Sequence, residues 1–437
     1  MSEASIHHSN PAEYLQETDG LRKATFRKVM WRMLPILTFG YLFNFLDRTN
    51  IGFASLQMNR DIGLSATQFG WGAGILFVSY CGFEVPSNLM MYRFGARAWI
   101  SRIMISWGLV SCAMSLAFNP TSFYLLRFAL GMAEAGLFPG IAFFLSAWFP
   151  AEYRARILAW FLLAIPLSSV FGGPLGGMLL GLDGMLHLAG WQWLFIVEGV
   201  PTVIIGLLTI KLLSDRPADA SWLSEDEKNI IIQSLNNEKS DREISHFGLA
   251  IRDMRVWICA GVYLGFTIGS YGIQIWLPQI LKLQRLSDAQ IGWISALPYA
   301  VASIGMMVWA QYADHSGRKI LNLTLCCTLA AAGFVIAVFF GHPLIALLGL
   351  TAALVGVNSA RAIFWAIPTR FLKGKAAAGG IAFINTIGTV GGFIGPSIVG
   401  YLKDRTGSFN MGLMVMAGFL AMSILLSLSL PAVIRNE

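Results

Sequence analysis

The chain has 437 residues, of which 56% are apolar and only 13% charged, and its formal net charge is +7. A soluble domain carries about 25% charged residues, so this composition excludes an ordinary soluble protein and points to one embedded in a bilayer. The basic residues are scattered at segment ends rather than clustered, a pattern of membrane orientation that argues against a nucleic-acid surface.

Residues 1–30 are a polar tail ending in Arg22, Lys23, Arg27 and Lys28, with no apolar core of a secretory signal. Twelve apolar runs follow, near 33–57, 68–92, 99–118, 122–148, 156–182, 191–213, 256–281, 290–312, 319–341, 343–372, 376–402 and 410–433. Each can cross about 30 Å of hydrocarbon as a helix. The expected fold is an all-α membrane protein with twelve transmembrane helices in two six-helix halves, 31–213 and 256–437. A charged linker over 214–255 separates them. Within it Ser224-Glu225-Asp226-Glu227 has the spacing of a capping box ahead of Ile230, Ile231 and Leu235, which predicts a short amphipathic helix. Tethering the halves is its expected role, with regulatory docking as the alternative.

Loop charge orients the chain. With the N-terminus inside, cytoplasmic segments hold 23 of the 31 Lys and Arg residues, whereas the outer loops hold Arg60, Lys282, Arg285, Lys403 and Arg405. Both termini are therefore expected in the cytoplasm. The halves also echo each other. Tyr92-Arg93-Phe94-Gly95-Ala96-Arg97 follows the second run, and Asp314-His315-Ser316-Gly317-Arg318-Lys319 follows the eighth. Glycine pairs four apart (Gly172/Gly176, Gly173/Gly177, Gly388/Gly392, Gly391/Gly395) permit close helix packing. Repeated halves are a transporter pattern, with the site at mid-membrane between them.

Three arginines remain inside the membrane: Arg48, Arg127 and Arg361. Intramembrane charges cost about 2.5–3.5 kcal/mol each on insertion scales and usually face a substrate or proton path. Arg127 and Glu134 are seven residues apart, on one helix face, with Gly131 between them. Arg127 is an expected substrate-binding residue and Glu134 the expected proton-coupling carboxylate, since a substrate anion that neutralises Arg127 favours protonating Glu134; a structural salt bridge is the competing reading. Asp47 and Arg48 are adjacent and point about 100° apart. Arg48 is expected to hold the substrate carboxylate in its planar fork, and Asp47 to be a second protonation site. A structural network with Asn44 and Asn50 is the alternative. Arg361 would hold a second carboxylate or support aromatic stacking, or else snorkel toward the interface. Tyr271 and Gln274 are candidate substrate partners on the seventh run, which also carries Tyr263 and Trp276. Glu84, on the second run with Tyr80 and Asn88, is a candidate inner-gate group.

The six histidines are expected in tails and loops, and neither they nor the five cysteines show metal-ligand spacing. No phosphate-cradling G-x-x-x-x-G-K-[ST] occurs. A proton gradient is then the expected energy source, with no cofactor, and no enzyme constellation is present.

The Asp314-to-Lys319 loop resembles the signature loop of the major facilitator superfamily. Tyr41 through Ala54, Arg127 through Gly140, and Phe364-Trp365-Ala366-Ile367-Pro368-Thr369 with Ala376 through Asn385 together resemble its anion:cation symporter family, over essentially the whole chain. That family includes bacterial galactonate, tartrate, phthalate and 4-hydroxyphenylacetate permeases. The resemblance implies proton-coupled uptake of an organic anion by a monomer in the bacterial inner membrane. It assigns function to Asp47, Arg48, Arg127 and Glu134, and places Trp365 and Asn385 at the substrate. Gly95, Arg97, Asp314, Gly317 and Arg318 fall in the gating loops. Tyr92 stands where the superfamily usually has Asp, and Arg361 occurs mainly in members assigned to aromatic or dicarboxylic acids. Efflux of amphipathic drugs, such as carboxylate-bearing antibiotics, and a transporter-like sensor are the competing functions.

Overall fold

The computed structural model describes residues 11–236, 252–340, 342–372 and 375–435, and within them every regular element is helical. The first half holds α1 (Pro11–Asp61), α2 (Ala66–Phe94), α3 (Ala96–Met114), α4 (Pro120–Glu134), α5 (Leu137–Ser146), α6 (Ala151–Leu162), α7 (Ala164–Leu180) and α8 (Gly190–Leu212). The linker contributes α9 (Glu225–Asn236). The second half holds α10 (Met254–Lys282), α11 (Asp288–Ser316), α12 (Lys319–Phe339), α13 (Pro343–Phe364), α14 (Pro368–Phe371), α15 (Lys375–Thr406) and α16 (Asn410–Arg435). Pairing α4 with α5, α6 with α7 and α13 with α14 gives twelve crossings, six in each half. Ten of these paths have the length and apolarity of a membrane span. The other two, α2 and α3, carry Glu84 and Arg93, and Arg97 and Arg102.

Four departures from the expected runs have local causes. Helix α1 starts at Pro11, far ahead of residue 33, and its extension carries apolar residues among the charged ones. Phe26 and Val29 are buried there, and the Phe26 ring stacks on Tyr153 at 4.6 Å. The fourth run is broken between α4 and α5 by Gly136 at φ +88°, a left-handed conformation that favours glycine. A Cβ there would also stand 2.6 Å from Ser87 Oγ. The break makes Glu134 the last residue of α4. The fifth run divides after Leu162 and the tenth after Phe364, each four residues before a proline (Pro166 and Pro368) that has no N–H to bond the carbonyl there.

The capping box of α9 forms as expected: Ser224 N–H donates to Glu227 Oε2 at 2.9 Å and Glu227 N–H to Ser224 Oγ at 3.2 Å. The helix docks on the first half. Ile231 is fully buried, Lys28 Nζ bonds Glu227 Oε2 at 2.8 Å, and Trp222 stacks on Trp148 at 5.8 Å beneath Arg32.

The two halves touch at the end that carries the α1–α2 and α10–α11 turns. Backbones cross tightly there: a Cβ on Gly173 would come within 2.6 Å of Gly292 O, and one on Gly52 within 2.7 Å of Ile275 O. Gln279 Nε2 donates to Ser55 Oγ at 2.8 Å and Gln57 Nε2 to Asp288 Oδ2 at 3.1 Å. Asp404 accepts the Ala66 and Thr67 N–H groups at 3.1 and 2.7 Å. These hydrogen bonds and backbone contacts close the halves together at this end.

Candidate functional site

Arg48 of α1 turns inward between α2 and α4. Its Nε donates to Glu134 Oε1 at 2.6 Å, and Nη2 joins the ion pair. Its guanidinium carbon lies 4.9 Å from the Tyr80 ring centroid and 5.5 Å from that of Phe45. Glu134 is fully buried, and its Oε2 has no hydrogen-bond partner among the described residues. Asp47 faces away from Arg48, toward α3: Trp107 Nε1 donates to Oδ2 at 2.7 Å and Ser111 Oγ to Oδ1 at 2.9 Å. The hydrogen bonds made here involve neither Asn44 nor Asn50.

Arg127 has a different setting from the expected one. It is only 1% exposed and reaches the α2 backbone, where Nε and Nη2 donate to the carbonyls of Gly72 and Ala73 at 3.3 and 3.2 Å. Nη1 is buried without a partner among the described residues. The ion pair of Glu134 is thus with Arg48 and not with Arg127. Gly131, between them, leaves no open space: α2 fills it, and a Cβ would collide with Leu76 O and Ser79 Oγ. The shared helix face predicted from spacing exists, but α2 occupies its middle.

From the second half, Arg361 of α13 donates from Nη2 to Ser270 Oγ at 2.8 Å and lies 5.9 Å from the Tyr271 ring centroid. It has no carboxylate within ion-pair distance among the described residues, so it does not pair near the helix end. The Tyr271 ring meets Phe77 of α2 at 4.4 Å. Phe77 stands one helical turn from Tyr80, so a continuous path runs from Arg48 through Tyr80, Phe77 and Tyr271 to Arg361. Gln274 is half-buried one turn beyond Tyr271. Trp365 is half-buried in an aromatic group with Tyr263, at 5.1 Å. Asn385 is half-buried on α15, one turn before Gly388, which lies against the Tyr263 ring. Trp276, by contrast, is buried and pinned by its Nε1 to Pro396 O at 3.1 Å.

Glu84 is half-buried one turn beyond Tyr80 and forms no ion pair among the described residues. In the first signature loop, Gly95 takes φ +90° and Arg97 N–H donates to Asp215 Oδ1 at 2.8 Å. Asp215, at the start of the linker, supplies the carboxylate that Tyr92 does not. In the second loop Gly317 takes φ +67°, its carbonyl accepts from Arg370 Nη2 at 3.3 Å, and Asp314 pairs with Lys319. Arg318 is exposed beside them and is not that partner.

His315 lies in the last turn of α11 and not in a loop. His342 caps α13. His7, His8 and His246 lie outside the described residues. Among those described, no three His, Cys, Asp or Glu side chains cluster as a metal site would need. Sequence reasoning missed Trp107, Ser111, Ser270 and Asp215. Trp107 and Ser111 share the i, i+4 spacing that puts two donors on one face, but nothing local says which carboxylate they meet.

A buried Arg48–Glu134 ion pair in one six-helix bundle, facing Arg361 of the other, with the two bundles closed together at one end, is an arrangement suited to a membrane transporter. The family described as Major Facilitator Superfamily matches residues 37–396. The chain is 46% identical over 415 residues to a protein of Agrobacterium vitis named "Putative tartrate transporter", covering 94% of this chain and 92% of that one. It is 38% identical over 419 residues to the "Quinolone resistance transporter" of Acinetobacter baumannii, covering 95% and 96%. A bacterial homologue of the human lysosomal transporter Spinster, solved in an inward-facing and occupied conformation, shares the fold with TM-score 0.76. Its identity is 15%, over 91% of this chain and 96% of that one. The chain belongs to the Major Facilitator Superfamily, and it is a multi-pass membrane transporter and not an enzyme.

Proposed function

We propose that the protein is a secondary transporter that takes up an organic carboxylate with protons by alternating access. One observation carries this reading. Guanidinium groups from opposite halves flank the Phe77–Tyr271 contact, and among the described residues Arg48 has a carboxylate partner and Arg361 has none. Arg361 is left for an anion that comes from outside the protein. A carboxylate on Arg361 would be met by Tyr271, Gln274, Trp365 and Asn385. A second carboxylate would compete with Glu134 for Arg48. Protonation of Glu134 weakens its hold on Arg48 and frees the fork for that second carboxylate. Proton and substrate then favour each other's binding by electrostatics alone. Asp47 is the second protonation site in this scheme, and Arg127 braces α4 on α2 behind it. The tartrate named for the Agrobacterium vitis relative is a hydroxy dicarboxylate, which two arginines would suit.

The loop-charge bias supports a bacterial inner-membrane protein with both termini in the cytoplasm. The closed end then faces outward, and the state is inward-facing. A monomer with a small anion, protons and lipid as its partners, and no nucleic acid, completes the reading. The Acinetobacter baumannii relative favours a second function, proton-driven efflux of amphipathic drugs.

The deciding experiment uses liposomes loaded with a pH-sensitive dye. Sugar acids, hydroxy dicarboxylates, aromatic acids and carboxylate-bearing antibiotics are added in turn, with Arg48→Ala as control. Lumen acidification driven by an acid and lost in the variant supports symport. Alkalinisation by antibiotics alone sinks the uptake reading and favours efflux.

A further inference from the structure

Two fully buried carboxylates of the first half enter the scheme above, and a third is left over. Glu198 lies midway along α8, is 1% exposed, and has both carboxylate oxygens buried without a hydrogen-bond partner among the described residues. Only the side chain is unsatisfied, since its backbone carbonyl accepts Thr202 Oγ1 at 2.8 Å. The next residue, Gly199, packs so tightly on α3 that a Cβ would stand 2.5 Å from Cys112 Sγ and 2.6 Å from Gly108 O. Asp47 reaches the same stretch of α3 from the α1 side, at Trp107 and Ser111.

The ionisable groups around Glu198 are few. Helix α1 offers Asp47 and α3 offers Cys112; α7 carries none over Ala164–Leu180. Asp47 is the one among the described residues that acts on Glu198 electrostatically. The two carboxylates are unequally equipped. Asp47 accepts two hydrogen bonds, as an anion requires, and Glu198 accepts none. An ionised, unpaired carboxylate in an apolar interior is strongly unfavourable. The negative charge therefore belongs on Asp47 and a proton on Glu198.

We propose that Glu198 is a proton-carrying carboxylate of the transport cycle, exchanging its proton with Asp47 across residues 107–112 of α3. In the exchange the O–H bond of Glu198 breaks as one forms on an Asp47 oxygen, and the negative charge passes to Glu198. Trp107 and Ser111 then lose their anionic acceptor, which loosens α1 from α3. This inference rests on the proton-coupled reading.

The test is infrared spectroscopy of the full-length protein in lipid, following the carbonyl stretch of a protonated carboxylic acid. Glu198→Gln is expected to remove one such band, and Glu198→Asp to move it. The band should be lost at high pH, and at a lower pH in Asp47→Asn, where the neighbouring negative charge is gone. Proton-driven uptake in Glu198→Gln should fall about 100-fold while substrate counterflow, which needs no net proton movement, is kept. A spectrum unchanged by Glu198→Gln, or a band indifferent to both pH and Asp47→Asn, overturns the proposal. Absence of counterflow by any carboxylate in the unaltered protein counts instead against the uptake reading, and the infrared titration still decides the assignment of Glu198.

Discussion

Arg48 and Glu134 form an ion pair across 86 positions of sequence, between mid-α1 and the last residue of α4, with the second Glu134 oxygen left free. Removing one member of a buried pair costs about 3–5 kcal/mol, because the other is left as an uncompensated charge. Arg48→Ala should therefore unfold in detergent at a lower temperature than the unaltered protein. Arg48→Ala combined with Glu134→Gln should recover most of that loss. Equal melting temperatures for the single and double variants would contradict the pairing.

Glu134→Gln keeps the shape of the side chain but cannot lose a proton. Counterflow of substrate should survive, and accumulation driven by a pH gradient should drop by about 100-fold. Radiolabelled uptake with and without the gradient separates the two. Accumulation at the unaltered level would remove Glu134 from the coupling.

Arg361 should decide between one carboxylate and two. A hydrogen bond to a charged group is worth about 1.5–3 kcal/mol, so Arg361→Ala should weaken a dicarboxylate by roughly tenfold to a hundredfold. A monocarboxylate, with Arg361 as its one anchor while Glu134 holds Arg48, should lose at least as much, whereas Arg48→Ala should spare it and weaken the dicarboxylate. Arg361→Lys keeps the charge without the planar fork and should recover only part of the loss. Competition assays with matched mono- and dicarboxylates give the answer.

The closed end depends on glycine. Gly173 and Gly292 bring α7 and α11 into backbone contact. Gly173→Leu should hold the halves apart there. A cysteine at Ser55, whose hydroxyl now accepts from Gln279, should then react faster with a membrane-impermeant thiol reagent. Unchanged labelling would show that the seam tolerates the bulk.

The linker contact carries a pH signature. Burial pushes the Glu227 carboxyl up, but hydrogen bonds from Lys28 and from Ser224 outweigh it and hold the group below the usual range. A lowered carboxyl value stabilises docking at neutral pH and loses that contribution as pH falls through it. Hydrogen exchange over 225–236 should quicken as pH falls below the usual carboxyl range, and in Glu227→Gln at neutral pH. The contribution is about 1 kcal/mol or less, since Lys28 is half exposed.

Much of the fold was legible because membrane insertion writes itself into local sequence. Twelve apolar runs, the charged linker and the capping box at Ser224 each depend on residues within a few turns of one another. The breaks at Gly136 and Pro368 had visible signals too, but hydropathy averages over them. The charged residues of the site stood out for the same reason, since an arginine is conspicuous in an apolar run.

Their partners were another matter. That Glu134 takes Arg48, while Arg127 takes two α2 carbonyls, depends on which helix packs beside α4 and at what depth. Residues 107 and 111 became the donors to Asp47 only when α3 was laid against α1, and Asp215 met Arg97 only when the linker folded back. Glu198 lay in an apolar run in plain view, and its spacing to any partner in sequence carried no information. Sequence by itself determined which segments cross the bilayer and which side chains are too costly there to be idle. Tertiary structure decided which charges neutralise each other and which are left over, because Coulomb and hydrogen-bond energies depend on a few ångströms between helices that are far apart in the chain.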